Sequence, residues 1–192
     1  MRADGCVSAA GFVLAGGRST RMGSDKALLP MGGRTLLEHI AAEVEGAAGN
    51  VTIIADPALY SRFGWAVVAD LRPGCGPLGG IVTALEVSNR SWNVIAACDM
   101  PAIDTEFLNH LLLTAAMAPK GCECLAPLGP SGPEPLCAVY HGSALAKLRA
   151  ALDGNILKMR YVLESLETRY VPVPDLRRFR NINTPGDWRG HD

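Results

Sequence analysis

Short apolar runs alternate with longer segments of helical spacing along most of these 192 residues. That alternation restricts the fold more than any other feature. Phe12-Val13-Leu14 precedes Leu36, Leu37, Ile40, Ala41 and Val44 at helical spacing, and Val51 to Ala55 follows, which is a β-α-β unit. The pattern continues with Ala66 to Ala69 as a strand, Leu78, Ile81, Val82 and Leu85 as a helix face, Trp92 to Ala97 as a strand and Phe107, Leu108, Leu111 and Leu112 as a further helix. Past Gly121 it loosens. Strands are expected near Cys124 to Ala126, Leu136 to Tyr140 and Tyr170 to Val173, with helices on Leu145, Leu148 and Leu152 and through Tyr161 to Leu166. Strands that are apolar nearly throughout belong in a sheet covered on both faces. The expected architecture is therefore α/β: a three-layer α/β/α sandwich around a mostly parallel, Rossmann-like sheet. No repeat or Pro/Ser-rich linker divides the chain, and its length suits one domain over 1–192.

In such sheets ligands bind at the carboxyl ends of the strands, so the residues that follow each strand matter most. Leu14 is followed by A-G-G-R-S-T-R-M-G-S-D-K, Ala69 by D-L-R-P-G-C-G-P-L-G-G, and Ala97 by C-D-M-P. Glycine and charge gather at one edge. The first loop offers backbone N–H groups at Gly16 and Gly17 beside Arg18, Arg21 and Lys26, a set that suits a polyphosphate. Neither G-x-x-x-x-G-K-[S/T] nor G-x-G-x-x-G can be written there, which weakens kinase-type and dinucleotide-type readings. An ordinary solvated loop is the alternative.

Asp99 is either a turn residue or an exposed carboxylate able to hold Mg²⁺ while phosphates supply the remaining oxygens. Asp104 is the better cap for the helix that follows. Asp70 could hold a ligand hydroxyl or bond the backbone of its own turn. Gly79 and Gly80 lower helix propensity, and either the close approach of a flat base or tight packing of helix on sheet explains them.

The totals exclude other classes. A net charge of −1 gives no general attraction to nucleic acid or anionic lipid. No apolar stretch is long enough to span a bilayer, and the N-terminus lacks a signal-peptide core, so the expectation is a cytoplasmic chain. The six cysteines show no C-x-x-C pair. They are expected as buried or partly buried thiols.

These motifs together resemble the bacterial molybdenum cofactor guanylyltransferases, of the glycosyltransferase-A-like nucleotidyltransferase superfamily, whose fold is the nucleotide-diphospho-sugar transferase type. The resemblance spans nearly the whole chain: L-A-G-G-x-S-x-R-M-G-x-D-K-A from Leu14, G-P-L-x-G from Gly76, C-D-M-P from Cys98, P-E-P-L from Pro133 and N-I-N-T-P from Asn181. It implies transfer of GMP from GTP to molybdenum-loaded molybdopterin with release of pyrophosphate, and Mg²⁺ as the metal, with Mn²⁺ as an alternative. It implies GTP contacts at Leu14, Ala15, Gly16, Gly17, Lys26, Asp70 and Asp99, the metal on Asp99, charge stabilisation by Arg21, Lys26 and Asp99, and Asn181 and Asn183 on the acceptor side. Residues 8–120 would form the nucleotide-binding part and 121–192 the acceptor-binding part. A monomer is expected, with other proteins of molybdenum cofactor biosynthesis and recipient molybdoenzymes as candidate partners.

This chain departs from the pattern at two places. Where relatives can carry an Asn that contacts guanine it has Ile54, followed by Ala55 and Asp56, and after N-T-P it has Gly186 and then Asp187. A cytidylyltransferase of the same cofactor tends to read L-A-A-G where this chain has L-A-G-G, which favours the larger purine. A non-catalytic nucleotide-binding protein would not be expected to keep Arg21, Lys26 and Asp99 together.

Overall fold

A computed structural model of the protein describes residues 8–16, 25–182 and Asp187. The elements are β1 (Ala9–Leu14), β2 (Pro30–Met31), β3 (Arg34–Thr35), α1 (Leu36–Ala48), β4 (Thr52–Ile54), α2 (Pro57–Tyr60), β5 (Ala66–Val68), α3 (Gly76–Val87), β6 (Trp92–Ala97), α4 (Thr105–Ala116), β7 (Cys124–Gly129), β8 (Gly132–Pro133), β9 (Cys137–His141), α5 (Leu145–Asp153), α6 (Met159–Glu164) and β10 (Thr168–Pro172). The main sheet runs β10-β7-β9-β6-β1-β4-β5, with β8 paired to β7.

Local chemistry sets the first unit. Thr35 and Glu38 form a reciprocal capping box at the start of α1, the Thr35 hydroxyl accepting the Glu38 N–H at 3.2 Å and the Glu38 carboxylate accepting the Thr35 N–H at 2.7 Å. Gly49, at φ 72°, ends the helix in the left-handed conformation. Asn50 then ties the turn to β1, accepting from Gly11 N–H at 3.1 Å and donating to the Ala9 carbonyl at 2.9 Å. A Cβ on Gly11 would lie 2.5 Å from both the Asn50 carbonyl oxygen and Val44 Cγ1, so glycine lets the helix end close on the strand.

β1 lies between β4 and β6 and is parallel to both, with Leu14 level with Ile54 and Ala97. One face of the sheet carries α1 and α4 over Val13, Ile53, Val94 and Ala96; the other carries α3, α5 and α6 over Phe12, Ile54, Ile95 and Ala138. This is the expected three-layer sandwich. Asp104 caps α4, accepting the Phe107 N–H at 2.8 Å.

The sheet departs from a parallel one on one side. β9 is antiparallel to both β6 and β7. The stretch from Cys124 to His141 turns back on itself through β8, and a link this short joins antiparallel neighbours, since a parallel crossover needs a dozen or more residues. The four-residue helix α2 and the β2–β3 hairpin also lie outside the sequence expectation, being too short to show a period. Among the described residues, no helix is long and apolar enough to cross a membrane.

Candidate active site

β1, β4, β5 and β6 are mutually parallel, so their carboxyl ends open on one edge of the sheet. A cleft of about 560 Å³ lies there, a volume in the range of small-molecule sites. Residues after each of the four strands line it: Leu14 to Gly16, Ile54 to Pro57, Ala69 and Asp70, and Cys98 and Asp99. Asp25 and Lys26 join them from the far end of the glycine-rich loop, and Gly76, Pro77 and Gly80 from the start of α3.

Of the predicted nucleotide residues, Leu14, Ala15, Gly16, Lys26, Asp70 and Asp99 thus share this cleft. Gly17, Arg21 and Asn183 lie outside the described residues. Gly16 has φ +100°, where glycine is favoured, as the chain leaves β1.

Asp99 sits in the turn after β6, two residues beyond the Leu14–Ala97 pairing. Burial raises its carboxyl above the usual carboxylate value, while the Lys26 cation and a backbone hydrogen bond act to lower it. A desolvated carboxylate within the field of a lysine is a charged group held for a task at some cost. The neighbouring Cys98 thiol is buried, and burial together with the charges of Asp99 and Asp25 pushes it up to about 12. At neutral pH it is therefore protonated. Cys124 and Cys137 are buried thiols as well, and Cys75 and Cys122 are partly buried.

The C-terminal segment reaches the same turn. Ile182 N–H donates to the Asp99 carbonyl at 2.9 Å, and Ile182 is fully buried. The Asn181 side-chain oxygen beside it is buried without a hydrogen-bond partner among the described residues. The backbone of this segment thus meets the Asp99 turn, while Asn181 is not among the residues that line the cleft.

Two alternatives left open by the sequence are narrowed by geometry. The Asp70 carboxylate accepts the Arg72 N–H at 2.8 Å and the Thr83 hydroxyl at 3.1 Å, so it anchors its own turn to α3 while lining the cleft. A Cβ on Gly79 would lie 2.6 Å from the Arg72 carbonyl oxygen, and one on Gly80 would lie 3.2 Å from Leu14 Cδ2. The close turn at Arg72 thus accounts for Gly79, and packing of α3 on Leu14 of β1 accounts for Gly80.

Sequence reasoning passed over Asp25, Asp56 and Tyr60. Asp25 accepts the Ala27 N–H at 3.1 Å and the Tyr60 hydroxyl proton at 2.6 Å. Asp56 accepts the Ala58 N–H at 2.9 Å, capping α2. The Asp-Pro pair at 56–57 was the available signal, since proline in the first turn after a capping aspartate starts a helix.

Comparison with known proteins agrees with this arrangement. The MobA-like NTP transferase domain matches residues 11–169. A relative from Methanothermobacter thermautotrophicus, named "Probable molybdenum cofactor guanylyltransferase", is 35% identical, the match covering 92% of this chain and 95% of the relative. The molybdenum cofactor guanylyltransferase of Cupriavidus metallidurans is 33% identical over 95% of this chain and 93% of its own. The crystal structure of molybdopterin-guanine dinucleotide biosynthesis protein A from Archaeoglobus fulgidus superposes with a TM-score of 0.82 at 32% identity, covering 95% of this chain and 96% of that one. The chain belongs to the MobA-like NTP transferase family, among the molybdenum cofactor guanylyltransferases.

Proposed function

We propose that this chain transfers GMP from GTP to the terminal phosphate of molybdopterin in its molybdenum-loaded form. The observation that carries the reading is the convergence of Lys26 and Asp99 at the ends of β1 and β6, in a cleft whose other end is apolar. The attacking phosphate oxygen forms a bond to the GTP α-phosphorus, the bond from that phosphorus to the bridging oxygen breaks, and pyrophosphate leaves with the electron pair. The nucleophile is already an anion, so no strong base is needed. The obstacle is negative charge.

Asp99 fits a hard cation: it lines the cleft, and its carboxylate can supply one or two oxygens while the phosphates supply the rest. When bound there, Mg²⁺ or Mn²⁺ would supply Lewis-acid charge at the phosphates, with Asp99 as its protein ligand. Lys26, together with Arg21, neutralises the phosphate oxygens, and the backbone of Leu14 to Gly16 holds the nucleotide. Their contribution is positioning and electrostatic stabilisation. Residues 8–120 supply this nucleotide half, and the later residues, with Asn181 and Asn183, supply the acceptor half.

Pyrophosphate release with molybdopterin, Mg²⁺ and each nucleoside triphosphate in turn tests the reading. Turnover is expected with GTP; turnover with CTP alone would overturn the guanylyl assignment. Asp99→Asn should lower kcat by roughly 100-fold or more with the fold unchanged by circular dichroism, and near-normal turnover would remove Asp99 from the reaction.

A further inference from the structure

The β4–β5 end of the cleft is lined by Ile54, Ala55, Pro57, Ala69, Pro73 and Pro77, a largely apolar wall suited to the face of a base. Two polar side chains interrupt that wall, Asp56 and Asp70. Asp70 is committed through Oδ1 to the Arg72 N–H and the Thr83 hydroxyl. Asp56 stands apart. Its backbone is extended, at φ −70° and ψ 114°, so it lies two residues beyond Ile54 on the same face of the chain. One oxygen, Oδ1, accepts the Ala58 N–H. The other, Oδ2, accepts no hydrogen bond among the described residues and belongs to an exposed side chain at the cleft wall.

We propose that Asp56 is the residue that selects guanine, its carboxylate accepting hydrogen bonds from the N1–H and 2-amino group of the base. This rests on the nucleotidyl-transfer reading given above. The argument is one of donor pattern. An ionised carboxylate only accepts. Guanine presents two adjacent donors on one edge, which a carboxylate can take as a pair. Adenine and cytosine each present one amino donor beside a ring nitrogen that is itself an acceptor, and uracil presents one N–H flanked by carbonyl oxygens that the carboxylate repels. A site whose available side-chain groups are acceptors disfavours those bases by leaving lone pairs opposed.

The capping role and the base-reading role can be separated, because Asn and Ser cap a helix about as well as Asp. GTP and ITP, which lacks the 2-amino group, are compared by calorimetric binding and by kcat/KM, with the melting temperature as the check on folding. The wild-type protein is expected to favour GTP over ITP by roughly 10- to 100-fold. Asp56→Asn and Asp56→Ser should each bring the two nucleotides close to parity with little change in melting temperature. Variants that retain the full GTP preference overturn the role of Asp56 while leaving guanylyl transfer standing. A wild-type protein that does not distinguish GTP from ITP overturns it without any variant, and one that uses CTP in place of GTP overturns both readings together.

Discussion

Lys26 carries charge into the cleft, but the residue before it determines where that charge arrives. The two oxygens of Asp25 are divided between the Ala27 N–H and the hydroxyl of Tyr60, which is 2% exposed and belongs to α2 beyond β4. Burial, and then the hydrogen bond to Asp25, raise the Tyr60 phenol above its ordinary value, so it remains a donor throughout the physiological range. The bond thus fastens the end of the glycine-rich loop to the second strand unit, with Lys26 next in line. Tyr60→Phe keeps the ring and its packing and removes one donor, which should lower kcat/KM for GTP about tenfold, in line with the loss of a hydrogen bond to a charged acceptor. Residues that act through one another are not additive. In a Lys26→Ala background, Tyr60→Phe should therefore cost no further activity. A second tenfold loss in that background would show that Tyr60 serves the fold at large and does not position Lys26.

At the scale of elements, α3 shows how packing overrides propensity. Two adjacent glycines in a helix each cost about 1 kcal/mol against alanine, so Gly79→Ala would stabilise an isolated helix. Here the added methyl would meet a backbone oxygen, that of Arg72, at 2.6 Å and, at 3.2 Å, the Asp70 carboxylate, which is held by the Arg72 N–H and the Thr83 hydroxyl. The expected result is a net loss of about 1–3 kcal/mol, read from urea unfolding, with weaker GTP binding because the Asp70 turn must move. An unchanged or higher midpoint would refute the packing account. The helix itself was legible from Leu78, Ile81, Val82 and Leu85, all buried, whereas the reason for its glycines was not, because it depends on a turn that only the fold brings near. The same distinction holds elsewhere. β1 and β6 could be read as buried strands from their apolar runs, and the place of Asp99 in the cleft from its position just beyond β6. The direction of β9 could not, since an apolar run is the same read parallel or antiparallel. The Asp25–Tyr60 bond joins residues 35 apart and leaves no trace in local spacing.

For the whole molecule, the elements after α4 must be held to one another, and one buried acid joins three of them, β7, α5 and β10. Glu123, just before β7, accepts the Lys147 ammonium of α5 at 2.7 Å and the Glu167 N–H, just before β10, at 2.9 Å. Burial acts to raise its carboxyl, but the Lys147 and Glu167 hydrogen bonds, with the charges of Lys147 and His141, outweigh it and hold the group below its usual 4.5. A carboxyl that is lowered on folding contributes stability that is fully present above its unfolded value, and that contribution is lost as pH falls through the lower folded value. Its side chain is 11% exposed and that of Lys147 43%, so solvent screens the ion pair in part while the hydrogen bond from the Glu167 N–H remains. Glu123→Gln keeps the size and one acceptor while removing the charge, and should cost about 1–3 kcal/mol at neutral pH. The deficit relative to wild type should shrink as pH is lowered through 4.5 and below, because the wild-type carboxyl is then itself neutralised. Urea midpoints for both proteins across that range decide the matter. A deficit that stays constant with pH would mean that Glu123 contributes through shape and packing and that its charge does not tie β7, α5 and β10 together.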